Sequence, residues 1–97
     1  MQTDYELMVV LKPLLMEDIK DKIIPKISKE VKKLGGTLEL KDNMGKRILA
    51  YPIKGYKEGY YLVYKLTIDS DKINELNNWL KIYDALLRHL IIREDQL

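Results

Sequence analysis

Gly59-Tyr60-Tyr61-Leu62-Val63-Tyr64-Lys65-Leu66-Thr67-Ile68 is the stretch from which the fold of this 97-residue chain can be read. It alternates with period two: Tyr60, Leu62, Tyr64, Leu66 and Ile68 share one face, and Tyr61, Val63, Lys65 and Thr67 the other. Alternation in aromatic and branched residues marks a strand packed on a core. Directly behind it, Asp69-Ser70-Asp71 supplies side chains that can cap a helix, and Ile73, Leu76 and Leu80 recur at helical spacing as its buried stripe. Trp79 falls beside that stripe, half exposed. Tyr83-Asp84 is expected to turn the chain into a last strand, Leu86–Arg93.

Upstream, residues 5–12 form another strand, with Leu7, Val9 and Leu11 on one face and Glu6, Met8, Val10 and Lys12 on the other. Met8 and Val10 make the second face apolar as well, which places this strand in the middle of a sheet. Pro13 ends it. The period then lengthens: Ile19, Ile23, Ile27, Val31 and Leu34 lay one stripe along a helix over 16–34, closed by Gly35-Gly36. Pro25 lies inside that helix and should kink it, at a cost of up to ~3 kcal/mol offset by packing. Residues 37–41 alternate with Leu38 and Leu40 inward. Asp42-Asn43 and Gly45 interrupt, and 46–51 resume, as one long bent strand or a hairpin arm with a bulge. The proline, glycine, cations and aromatics of 52–58 read as a loop.

The order is β-α-β-β-α-β. It predicts an α+β, ferredoxin-like domain: a four-stranded antiparallel sheet with two helices on one face, filling 1–97 as a single domain. The other sheet face, with Met8, Val10, Tyr61 and Val63, has no helix of its own and should accept a partner. The fold hosts many functions and decides none of them.

Composition narrows the classes. With 46% hydrophobic and 33% charged residues the chain is globular, not disordered. A net charge of +2 rules out a polybasic tail but leaves room for a local basic edge. The chain has no cysteine, so disulfides and thiolate metal sites are absent, as suits a reducing cytoplasm. Its apolar runs are far shorter than the roughly 20 residues of a membrane span. Asp4 and Glu6 near the start argue against a targeting peptide.

Catalysis finds little support. His89 is the only histidine, too little for a transition-metal site. Gly45-Lys46 resembles the end of a phosphate-binding loop, but Leu40 stands where its first glycine belongs and Arg47 where Ser or Thr must hold magnesium. Gly35-Gly36 lacks the third glycine and following helix of a dinucleotide site. No enzyme, cofactor, metal or small-molecule substrate is expected.

Binding fits better. Lys46, Arg47, Lys54, Lys57, Arg88 and Arg93 lie on strands or loops, and all three arginines fall on the second and fourth strand segments. Tyr51, Tyr56, Tyr60, Tyr61 and Tyr64 interleave with them. Guanidinium forks suit phosphates and tyrosine rings suit bases, so this pattern fits RNA as well as it fits an ordinary solubilising edge. The rival function class is a self-associating, ligand-binding regulatory domain that uses the open sheet as a dimer face. Such domains usually place a glycine loop before a helix, and none is present.

One set of motifs carries a family resemblance. Gly45-Lys46-Arg47 followed by Leu49-Ala50-Tyr51-Pro52-Ile53, with Tyr5-Glu6 near the start and Asp84-Ala85-Leu86-Leu87-Arg88 near the end, closely resembles the bacterial small-subunit ribosomal protein of the S-six family. The match spans the whole chain. It implies a non-catalytic, cytoplasmic ribosomal protein of ferredoxin-like fold. Such a protein would bind the central domain of small-subunit ribosomal RNA as a heterodimer with the S-eighteen family ribosomal protein. By the resemblance, the partner surface would comprise Met44, Leu49, Tyr51 and Ile53. RNA contacts would come from Lys46, Arg47, Lys54, Arg88 and Arg93, with Arg47 and Arg88 foremost. The chain departs from the usual family pattern at Met44, Ile48 and Gln2-Thr3-Asp4.

Overall fold

A computed structural model of the protein describes residues 1–14 and 16–97. Four strands, β1 (Gln2–Leu11), β2 (Thr37–Ile53), β3 (Tyr56–Asp69) and β4 (Leu86–Arg93), pair antiparallel in the order β2-β3-β1-β4. β1 is central, as its two apolar faces required. Leu7, Val9 and Leu11 of β1 and Tyr60, Leu62, Tyr64, Leu66 and Ile68 of β3 pack against Ile19, Ile23, Ile27 and Val31 of the first helix and Leu76 and Leu80 of the second. This is the ferredoxin-like β-α-β-β-α-β architecture, with both helices on one face.

The first helix is distorted before Pro25. It runs as α-helix (Met16–Asp18), a five-residue π-helical segment (Ile19–Ile23) and α-helix again (Ile24–Lys33). The Ile24 N–H reaches back to the Ile19 carbonyl, one residue farther than an α-helical bond. Pro25 then sits at the start of the second α segment, where its missing N–H costs least. The helix closes on a Schellman motif: Gly36 N–H donates to the Val31 carbonyl and Gly35 N–H to the Lys32 carbonyl, both at 2.9 Å. Gly35 adopts the left-handed conformation this cap needs, with φ +81°. Asp69 performs its capping role, accepting from Asp71 N–H at 2.9 Å to open a 3₁₀ turn (Ser70–Lys72) ahead of the second helix (Ile73–Ile82).

One expectation needs correction, and another holds in direction but not in burial. Residues 52–58 are not a loop, because Lys54 and Gly55 both take positive φ, 49° and 84°, as in the type I′ turn that joins twisted strands with two residues. The strands therefore run to Ile53 and from Tyr56, and Pro52 is tolerated because β2 is an edge strand. Leu40 does lie on the inward face, beside Ile19 and Ile24, but it stays 47% exposed. It lies opposite Tyr64 just before a register shift, at the sheet margin where less of the helix layer covers it.

Gly59 fixes the far end of the sheet. A Cβ there would stand 2.5 Å from Val10 Cγ1 and 3.4 Å from Leu49 Cδ2. Gly59→Ala should therefore cost about 1–3 kcal/mol in urea unfolding by forcing buried side chains apart. A loss below about 0.5 kcal/mol would mean that this close approach is not present in solution.

His89 ties β4 to the second helix, its Nε2 lying 2.7 Å from Asn77 Oδ1. Burial, with the Lys81 ammonium adding to it, pushes the imidazole pKa below its usual 6.5. The unfolded chain therefore takes up this proton more readily than the folded one. The stabilisation is whole above about pH 6.5 and is lost as pH falls through the lowered folded value. His89→Gln should flatten the decline in melting temperature between about pH 7 and pH 5; an unchanged slope would contradict this assignment.

Candidate binding surface

The surface of interest is built where β2 outruns β3. From Ile48, opposite Glu58, to Ile53, opposite Tyr56, β2 takes five steps while β3 takes two. The surplus chain carries side chains onto the helix-free face of the sheet. Leu49, only 8% exposed, clusters there with Val10 of β1 and Leu87 of β4, and Ile53 and Tyr61 pack against the cluster. Tyr51 reaches farther: Arg88 Nη1 of β4 donates to its hydroxyl at 2.7 Å. β2 and β4 are opposite edges of the sheet, so this hydrogen bond spans its width.

A second irregularity shapes Arg47. The register shifts between Asn43 and Gly45, and the Asn43 side-chain carbonyl accepts from Gly45 N–H at 3.1 Å. Arg47 Nε then donates to the Met44 carbonyl at 3.1 Å, which holds the guanidinium against its own strand.

The basic residues named from sequence do not act as one patch. Arg88 and Lys54 line a common recess of about 200 Å³, together with Lys81 and His89. Arg47 lies opposite Gly59 and so shares the helix-free face, whereas Lys46, opposite Tyr60, projects to the other side of the strand. Arg93 sits opposite Tyr5 near the far end of β4, 3.4 Å from Asp95. Among the described residues, neither Arg47 nor Arg88 has a carboxylate within ion-pair distance, while Lys12 pairs with Asp84 at 3.2 Å and Lys41 with Glu6 at 3.1 Å. Two guanidinium groups are thus left with unspent charge on one face.

The apolar residues divide as well. Tyr51 is 56% exposed and Ile48 84%, with Met44 at 36%. Ile53 is half-buried, and Leu49 supports the surface from beneath instead of forming it. Beside them the open face continues as a groove of about 340 Å³ lined by Met8, Val10, Tyr61, Arg88 and Leu90.

Sequence reasoning missed Lys81 in the recess and the bond from Tyr51 to Arg88. The bond depends on how far β2 outruns β3, and the place of Lys81 on how the second helix packs beside β4, and no local motif encodes either. Among the described residues, no group of three or more His, Cys, Asp or Glu side chains could hold a metal ion, and no helix is long and apolar enough to cross a membrane.

Fold and surface together define a small ferredoxin-like protein whose exposed chemistry is cationic and apolar. A family model described as ribosomal protein S6 matches residues 4–93. The small ribosomal subunit protein bS6 of Desulforudis audaxviator is 43% identical over 91 residues, 94% of this chain and 97% of the relative. That of Symbiobacterium thermophilum is 42% identical over 89 residues, 92% and 94% of the two chains. The crystal structure of 30S ribosomal protein S6 from Thermotoga maritima superposes with a TM-score of 0.85 at 25% identity, covering 99% of this chain and 91% of that one. The chain belongs to the bacterial ribosomal protein S6 family. It is accordingly a structural protein of the small ribosomal subunit, not an enzyme, and its place is the ribosome in the cytoplasm.

Proposed function

We propose that residues 1–97 act as one RNA-binding domain. It would dock on the central domain of small-subunit ribosomal RNA together with the S-eighteen family ribosomal protein. The observation that carries this reading is the pair Arg47 and Arg88, without carboxylate partners among the described residues and on the same face as the exposed Tyr51. An unpaired guanidinium can give a phosphate two parallel hydrogen bonds. In this reading Lys54 adds charge at the hairpin tip, and Lys46 and Arg93 flank the main contact. Met44, Tyr51 and Ile53 face the protein partner over Leu49.

Charge sets the expected strength. A chain of net charge +2 neutralises few phosphates by itself, so its affinity for RNA alone should be weak and should fall with salt. Titration of a central-domain RNA fragment with this protein, the partner and both should show tight binding only for the pair. Partner-independent tight binding would overturn the cooperative reading. Arg47→Ala with Arg88→Ala should weaken binding of the pair to RNA at least tenfold and lower the salt slope by about 2, with stability within about 0.5 kcal/mol. Unchanged affinity in that variant would remove both arginines from the interface.

A further inference from the structure

Among the described residues, Tyr51 and Arg88 form the one side-chain hydrogen bond that joins the two outer strands across the helix-free face, at 2.7 Å. A tyrosine hydroxyl is a neutral acceptor, so it orients a guanidinium without cancelling its charge as a carboxylate would. One N–H of Nη1 is used, and four of the five donors of Arg88 remain. The Tyr51 ring rides on the segment anchored by Leu49 in the cluster with Val10 and Leu87. The hydroxyl is thereby placed by the sheet and not by a mobile side chain alone.

From this we infer that Tyr51 is a positioning residue for RNA: its hydroxyl holds the guanidinium of Arg88, which lines a recess together with Lys54, ready for a backbone phosphate. The inference rests on the RNA-binding reading of Arg88 and splits Tyr51 into two parts. The ring serves the apolar surface offered to a protein partner, and the hydroxyl serves the arginine. Holding a long, flexible side chain in its bound geometry removes part of the ordering cost that binding would otherwise carry.

The test is a double-mutant cycle on affinity for a central-domain RNA fragment, measured in the presence of the partner protein, with Tyr51→Phe, Arg88→Ala and both. Tyr51→Phe keeps the ring and should weaken RNA binding about threefold to tenfold, leaving partner affinity, melting temperature and salt slope unchanged. Arg88→Ala should weaken RNA binding more and lower the salt slope by about 1, and Tyr51→Phe should add nothing in its background. Equal losses from Tyr51→Phe with and without Arg88 would overturn the positioning role, as would loss of partner affinity instead of RNA affinity. If Tyr51→Phe changes nothing while Arg88→Ala weakens binding, the hydroxyl is irrelevant and the RNA reading stands. If Arg88→Ala changes nothing, the RNA reading of that arginine fails, and the role of Tyr51 with it.

Discussion

The close approach of Val10 and Leu49 over Gly59 is the constraint on which the surface of this protein depends. A sheet with helices on one side only has an apolar face left open, and here part of that face is closed by the chain itself. Gly59 leaves the space, Leu49 enters it beside Val10, and Leu87 completes the contact from the fourth strand. Buried apolar area of this kind contributes on the order of 25 cal/mol per Å², enough for three aliphatic side chains to anchor a short segment. With Leu49 anchored, its neighbours on β2 have nowhere to go but outward. Tyr51 becomes exposed and comes within reach of Arg88.

The same arrangement explains how a nearly neutral chain can still offer uncompensated charge on one face. Most of its lysines stand on helix exteriors or near carboxylates, where water screens them. Arg47 and Arg88 are held by a carbonyl and a hydroxyl, acceptors that carry no net charge. Their positive charge is fixed in direction and remains available. The family is one of small-subunit ribosomal proteins, and this disposition of charge supports the RNA-binding reading proposed above.

Much of this was legible in the chain. Period-two alternation in 59–68 placed every inward residue of β3 on its observed face, and the apolar second face of β1 predicted its central position. The Gly-Lys-Arg and Leu-Ala-Tyr-Pro-Ile motifs identified the family. Hydrogen-bonding alternatives were harder to foresee. Pro25 signalled a break, but whether a helix kinks or widens into a π turn depends on how its buried isoleucines keep contact with the sheet. Lys54-Gly55 looked like part of a loop because lysine rarely takes positive φ, and a hairpin turn was concealed by the proline before it. The Tyr51–Arg88 bond joins residues 37 apart in sequence, and only the unequal lengths of β2 and β3 bring them together.

The central claim is that the 49–53 segment is already seated on the open sheet face in the free protein. Methyl and aromatic NOEs in the isolated protein, without RNA or partner, test it most directly. The account predicts strong contacts from the Leu49 methyls to those of Val10 and Leu87, and slowed amide exchange at Leu49. Absence of those NOEs, with random-coil shifts through 49–53, would contradict it.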